Sequence, residues 1–244
     1  MSIKFSIAVV TYNASTHIEE LLISIYNQTY NNIEVVYVDG DSSDNTLEII
    51  KKYKREEDIL LSESDDGVYD AMNKALDLAS GDFLIFMGSD DHFMSFHVLE
   101  DVSRTINCVE KNLEAIYYGG CYMDVFHQVA NKRQTKWSWV RGTMCHQCIF
   151  YPKSVYKKHK YNLRYKINAD YAYNINLWGQ VEFKHIDIII SYFNCGGISG
   201  SGNYDIPFRK DLPIMIKERC GFLPYIYKRF RMMLGVIFKG RPSF

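Results

Sequence analysis

Apolar residues fall into short blocks separated by polar clusters through the first part of the chain. Phe5-Ser-Ile-Ala-Val-Val10 is rich in β-branched residues and predicts a buried strand. Ile18, Leu21, Leu22, Ile25 and Tyr26 then recur at helical spacing. Ile33-Glu-Val-Val-Tyr-Val38 predicts a second strand, and Thr46 opens a helix with Leu47, Ile50 and Tyr53 on one face. Ile59-Leu-Leu61 is a short third strand, Val68 to Leu78 a helix ending near Ser80-Gly81, and Phe83-Leu-Ile-Phe-Met87 a fourth strand. This alternation predicts an α/β fold with a mostly parallel sheet flanked by helices. In such sheets ligands bind beyond the carboxyl ends of the strands. The polar clusters at residues 11–13, 39–44, 65–67 and 88–91 all follow strands and should converge on one rim.

The second half is less regular. Ala115-Ile-Tyr-Tyr118 and Ile186 to Phe193 read as strands, Lys153 to Lys160 and Asp170 to Trp178 as helices. Gly196-Gly-Ile-Ser-Gly-Ser-Gly202 has four glycines in seven residues and is expected to be a mobile loop that closes over a ligand. In the tail, Leu223, Ile226, Tyr227, Phe230, Leu234, Ile237 and Phe238 share one helical face, with Lys228, Arg229 and Arg231 elsewhere. That is a basic amphipathic helix. It suits an anionic leaflet, with packing on the core or on a second copy of the chain in a homodimer as the alternative.

Composition changes this picture little. The 244 residues carry a net charge of −1, so the whole chain has no nucleic-acid signature. The charge is uneven: nine Lys/Arg against two Asp/Glu from Pro207 onward give the tail +7 and leave −8 for the rest. The 19 Tyr suit sugar and nucleoside surfaces, and any half-buried surface as well. Cys145-His146-Gln147-Cys148 has C-x-x-C spacing but no second pair at a zinc-ribbon interval, so metal or redox chemistry is not expected there. No signal peptide or long apolar run is evident, so a reducing, cytoplasmic setting is expected.

Ser89-Asp90-Asp91 carries the strongest chemistry. Adjacent carboxylates at a strand end are costly unless a cation neutralises them. Hard oxygen ligands suit Mg²⁺ or Mn²⁺, with water and substrate phosphate completing the shell. A bare Asp-Asp is also a common solvated turn; its strand-end position beside three similar clusters favours the metal.

The order of motifs resembles the inverting family 2 glycosyltransferases of GT-A (Rossmann-like) fold, in particular bacterial surface-polysaccharide enzymes. The resemblance rests on Ala8-Val-Val-Thr-Tyr-Asn13, Val38-Asp-Gly-Asp-Ser-Ser-Asp-Asn-Thr46, Glu63 to Lys74, Ala79-Ser-Gly-Asp82 and Gly88-Ser-Asp-Asp91. It implies a GT-A domain over residues 1–205, with a nucleotide half (1–100) and an acceptor half (101–205), and a C-terminal extension over 206–244. It implies a UDP-sugar donor contacted by Thr11, Tyr12, Asn13, Asp39, Asp66, Asn73, Lys74 and Asp90, and Mn²⁺ or Mg²⁺ on Asp91. Asp170, in Asn168-Ala-Asp-Tyr-Ala-Tyr-Asn174, matches the family's general base, and His146-Gln147 a pair that contacts acceptor or diphosphate. Asp39 and Asp44 serve equally as helix caps, Asp170 suits a first helical turn without catalysis, and His146 suits a core. Asp124 and Asp187 are the competing bases. The family's further metal-side His is missing from Phe193 to Ser199. The implied activity is hexose or N-acetylhexosamine transfer to a lipid-linked saccharide, at the inner face of the plasma membrane. A nucleotidyltransferase would want a glycine-rich, basic phosphate loop after the first strand, which Thr11 to Thr16 lacks; a non-catalytic sugar-nucleotide module is the other alternative.

Overall fold

The computed structural model describes residues 2–110, 112–130, 133–194 and 205–239. The first half builds as its pattern dictates. Strand β1 (Phe5–Thr11) leads to helix α1 (Ile18–Tyr26), β2 (Ile33–Asp39) to α2 (Thr46–Tyr53), and β3 (Ile59–Ser62) to α3 (Val68–Leu78). Then come β4 (Phe83–Gly88), a two-residue β5 (His92–Phe93) and α4 (Val98–Arg104). Strands β1, β2 and β4 are buried along almost their whole length, which is why they read as continuous apolar runs.

Next follow β6 (Ile116–Met123), β7 (Gln128–Ala130), α5 (Ser138–Arg141), β8 (Ile149–Pro152), α6 (Lys153–Tyr156), α7 (Ala169–Leu177) and β9 (Phe183–Phe193). Two helices close the chain, α8 (Ile206–Cys220) and α9 (Phe222–Lys239). Among the described residues the strands form one mixed sheet in the order β3-β2-β1-β4-β8-β6-β9-β5, with β7 on β6. The β1–β4 pairings are parallel, as expected; β4–β8 and β6–β8 are antiparallel. Two apolar clusters cover the two faces: α3, α7 and α8 on one, α1 and α4 on the other.

At the amino ends of the strands a buried Glu34 fastens β1, β2 and the turn before β4. It accepts from Lys4 Nζ (2.5 Å), Ser6 Oγ (2.5 Å), Ser80 N (2.6 Å) and Ser80 Oγ (2.6 Å). Burial alone would raise its pKa, but these donors outweigh it and bring the carboxyl down to about 2. Ala79-Ser-Gly-Asp82 therefore lies at the end opposite the ligand rim and does structural work. A Cβ at Gly81 would stand 2.7 Å from Ser6 N.

Several expectations need correction. The helix expected over Lys153 to Lys160 stops at Tyr156. The tail holds two helices. Residues 206–220 carry prolines at 207 and 213 that break the apolar pattern, yet Asp205 caps α8 by accepting from Phe208 N (3.2 Å), and Pro207 sits harmlessly in the first turn. Lys228 is not on an outward basic face. It is 1% exposed and donates to Val140 O (3.0 Å) at the carbonyl end of α5. Burial, then Arg231 and Arg209, lowers its pKa to about 8. The apolar stripe of α9 points outward instead, with Leu223, Ile226, Tyr227 and Phe230 44–67% exposed. The side chains of Ile237 and Phe238 and the loop Gly196–Gly202 lie outside the described residues. No helix among the described residues is long and apolar enough to cross a membrane.

Candidate active site

Two groups of side chains meet at the carboxyl ends of the strands. The first comes from the loops after β1, β2 and β3. Asp39 ends β2 and is fully buried. It accepts from Thr11 Oγ1 (2.8 Å), Ser42 N (2.8 Å), Ser42 Oγ (2.5 Å) and Ser62 Oγ (3.1 Å). Its carboxylate is thus consumed in tying three strand ends together, and so is the Thr11 hydroxyl. Asn13 adopts φ +49° and its Oδ1 accepts from Ser43 N (2.9 Å), which fixes the loop. Asp44 accepts from Ser15 N (3.1 Å) and Thr46 N (3.0 Å), which ties the loop after β1 to the start of α2 from the position before its cap residue, Asn45.

What this scaffold presents is a slot. Tyr12 is 69% exposed, and Gly40 lies beneath it. A Cβ at Gly40 would stand 2.7 Å from Asp65 Oδ2 and 3.4 Å from the Tyr12 ring. Glycine therefore lets an aromatic face and a carboxylate converge, the chemistry that a nucleoside's base and ribose hydroxyls require. The spacing of Asp65-Asp66 gave no reason to prefer the first; Asp66 is exposed, whereas Asp65 lines the slot. The α3 residues are engaged elsewhere. Asn73 exchanges hydrogen bonds with the Tyr161 backbone (3.0 and 2.8 Å), and Lys74 pairs with Glu63 (2.8 Å) and Asp70 (3.4 Å).

The second group is assembled across long sequence distances. The turn after β4 folds Asp90 and Asp91 back over Gly88, where a Cβ would lie 2.6 Å from Asp91 Oδ2 and 3.2 Å from Asp90 Oδ1. Asp91 is 1% exposed. It accepts from Gly88 N (3.1 Å) and from Asn194 N (3.3 Å) at the end of β9. Burial, then the charge of Asp90, raises its pKa to about 7, against smaller opposing effects of Gln147, His146 and Asn194. A divalent cation would relieve that cost, so the pair fits one. Among the described residues no three His, Cys, Asp or Glu side chains are arranged to hold a metal ion by themselves. The remaining ligands would be phosphate oxygens and water.

Gln147, buried in the turn before β8, is among the neighbours that hold the Asp91 pKa down, while its neighbour His146 places Nδ1 3.7 Å from Asp170 Oδ2. Burial would lower the His146 pKa, but Asp170, then Asp91 and Cys121, prevail and raise it. Asp170 stands in the first turn of α7, and its Oδ1 accepts from Tyr69 Oη (3.0 Å). Asp205, 4% exposed, accepts from Ile167 N (2.9 Å) and Asn168 N (3.2 Å) and so sets the start of α7 from the far side. Neither Tyr69 nor Asp205 carried a signal in sequence. The competing acids stand outside the group: Asp187 is exposed on β9, and Asp124 lies in the turn after β6 near His127 (4.0 Å). Cys145 and Cys148 both contact Cys121 on β6, and the described cysteines are unbridged.

Comparison with known proteins adds a family, a relative and three solved structures. The profile described as "Glycosyl transferase family 2" matches residues 6–171. A PGL/p-HBAD biosynthesis glycosyltransferase of Mycobacterium tuberculosis is 33% identical over 249 residues, spanning 95% of this chain and 92% of its own. The S. aureus TarS crystal structure superimposes with a TM-score of 0.73 at 21% identity, covering 97% of this chain, which in turn spans 44% of TarS. A shorter TarS structure in complex with UDP-GlcNAc gives 0.67 at 21% identity, covering 97% and 73%. A Pyrobaculum calidifontis mannosyltransferase in complex with GDP-Man and Mn²⁺ gives 0.63 at 14% identity, covering 98% and 82%. At these identities the solved structures establish the fold, which is the expected α/β GT-A architecture.

Proposed function

The chain belongs to glycosyltransferase family 2 and is a glycosyltransferase, and on that premise we propose that it is a metal-dependent, inverting enzyme moving a hexose or N-acetylhexosamine from a UDP-sugar to a lipid-linked saccharide in surface-polysaccharide synthesis. One observation carries the mechanism: His146 lies 3.7 Å from Asp170 and, with its neighbour Gln147, acts on the charge of Asp91, so a candidate base and a candidate metal ligand flank one dipeptide. In this reading residues 1–205 carry the transfer site and 206–244 form an extension.

The slot of Tyr12, Gly40 and Asp65 takes the nucleoside, with Thr11, Asn13 and Asp39 holding its loops. Asp66, Asn73 and Lys74 are the further donor-side residues of this reading, with Asn73 tying α3 to the Tyr161 backbone and Lys74 paired with Glu63 and Asp70. Asp91, with Asp90 toward the ribose or sugar, would hold Mn²⁺ or Mg²⁺, which when bound neutralises the leaving diphosphate as a Lewis acid. Asp170 takes the proton of the acceptor hydroxyl as that oxygen bonds to the anomeric carbon and the carbon–phosphate oxygen bond breaks. Opposite-face attack inverts the anomeric centre. The UDP-GlcNAc complex of TarS supports the donor class, and the GDP-Man and Mn²⁺ complex supports a divalent ion.

The outward apolar stripe of α9, with a tail of net charge +7, supports docking on an anionic leaflet at the inner face of the plasma membrane. Calorimetry tests the donor side: UDP should bind more tightly with Mn²⁺ than without it, and binding of GDP or TDP alone overturns the UDP assignment. Sedimentation with phosphatidylglycerol vesicles tests the tail. Co-sedimentation lost in Leu223→Ser/Phe230→Ser is expected; a stable dimer with no vesicle binding refutes the membrane role.

A further inference from the structure

The base has a partner whose geometry fits both of its protonation states. Tyr69 is the second residue of α3, and its ring lies tilted against Tyr161 with centroids 5.6 Å apart. Its hydroxyl is 2.6 Å from Ile167 O and 3.0 Å from Asp170 Oδ1. A hydroxyl has one hydrogen and here meets two acceptors, so it serves one of them at a time. Burial, then the nearby charge of Asp170, raises the Tyr69 pKa well above its ordinary range, so the hydroxyl keeps its proton.

We propose that Tyr69 is a positioning residue for the transfer reaction, holding Asp170 in one orientation before and after it accepts the substrate's proton. While Asp170 is ionised, Tyr69 donates to Oδ1. When Asp170 carries the acceptor's proton on Oδ1, that new O–H donates to Tyr69 Oη, and the tyrosine hydrogen turns to Ile167 O. Asp170 keeps a hydrogen bond to Tyr69 in both states, and no heavy atom needs to move. The proton leaves the acceptor hydroxyl, resides on Asp170 and departs to solvent with product. Removing the Tyr69 hydroxyl takes one charge-assisted hydrogen bond from the ionised carboxylate.

Other groups act on Asp170 from each packed element: His146 and Cys145 from the turn before β8, Tyr151 on β8, Tyr161 after α6, and Tyr171 on α7 itself. Of these His146 also acts on Asp91, so its contribution must be separated.

This inference rests on Asp170 as base. The test is the kcat–pH profile of UDP release by the full chain with Mn²⁺, comparing wild type, Tyr69→Phe, Asp170→Asn and the double variant. Tyr69→Phe should move the acidic limb up by about half to one pH unit and lower kcat roughly three- to tenfold, with donor KM unchanged. The same displacement should appear in a His146→Asn background. In Asp170→Asn, adding Tyr69→Phe should change nothing further. Tyr69→Leu provides a second hydroxyl-free variant if Phe folds poorly. An inactive Asp170→Asn with an undisplaced Tyr69→Phe profile overturns the role of Tyr69 alone. Wild-type turnover in Asp170→Asn overturns the base assignment and this inference with it.

Discussion

The two halves of the site use carboxylates in opposite ways. Around β1–β3, Asp39 and Asp44 are surrounded by hydroxyl and backbone donors, and their charge stabilises the loops that carry them. Around the end of β4 and the start of α7, Asp91 and Asp170 face each other across His146-Gln147, and Asp91 is left costly to ionise. The first arrangement spends its acids on shape. The second leaves Asp91 buried and costly to ionise, which is where chemistry is expected. Gly40 and Gly88 do the same service in both halves, opening space for side chains to converge.

Mutations should separate these two uses. The largest effect is expected from Asp170→Asn, which should lower kcat by about 10²–10⁴-fold with an unchanged melting temperature. A parallel loss of stability would move Asp170 to the structural side. Asp91→Asn should also cripple turnover, since metal-assisted charge stabilisation is worth several kcal/mol. It should nevertheless stabilise the metal-free protein at pH 8. The folded-state pKa of Asp91 is raised from 3.8 to about 7, so stability is full below pH 4 and declines as pH climbs through 7. The gain in Tm from Asp91→Asn should therefore vanish at pH 4, as differential scanning fluorimetry across pH would record.

Asp39→Ala should behave inversely. It strands four buried or half-buried donors, and a cost of roughly 2–3 kcal/mol should lower Tm by roughly 5–10 °C. Retained Tm with lost UDP affinity would mean that Asp39 contacts ligand directly. Tyr12→Ala should be the mildest. It removes a stacking face worth about 1–3 kcal/mol of UDP affinity and leaves Tm in place, which calorimetry and thermal melts together would establish.

The legibility of the two halves differs for the same reason. In the first, each functional cluster directly follows its own strand, so periodicity located both the element and the rim. Even there, the approach of Asp65 to Gly40 was not legible in the Asp65-Asp66 dipeptide. In the second, β8 is four residues, too short to leave a pattern, α6 stops at Tyr156 short of the helix its sequence suggests, and α8 hides behind two prolines. The α9 stripe was visible, but its orientation was not. Burying Lys228 on a helix-end carbonyl turned the apolar face outward.

From residue order alone came the α/β alternation, the strand-end loops and the paired acids, because these depend on local periodicity and turn chemistry. The placement of Asp91 and Asp170 beside one dipeptide, the Tyr69 bridge and the Asp205 brace came only from the tertiary structure. They join residues tens of positions apart, and contacts of that kind are set by how the sheet closes and the helices pack on it, which no local pattern encodes.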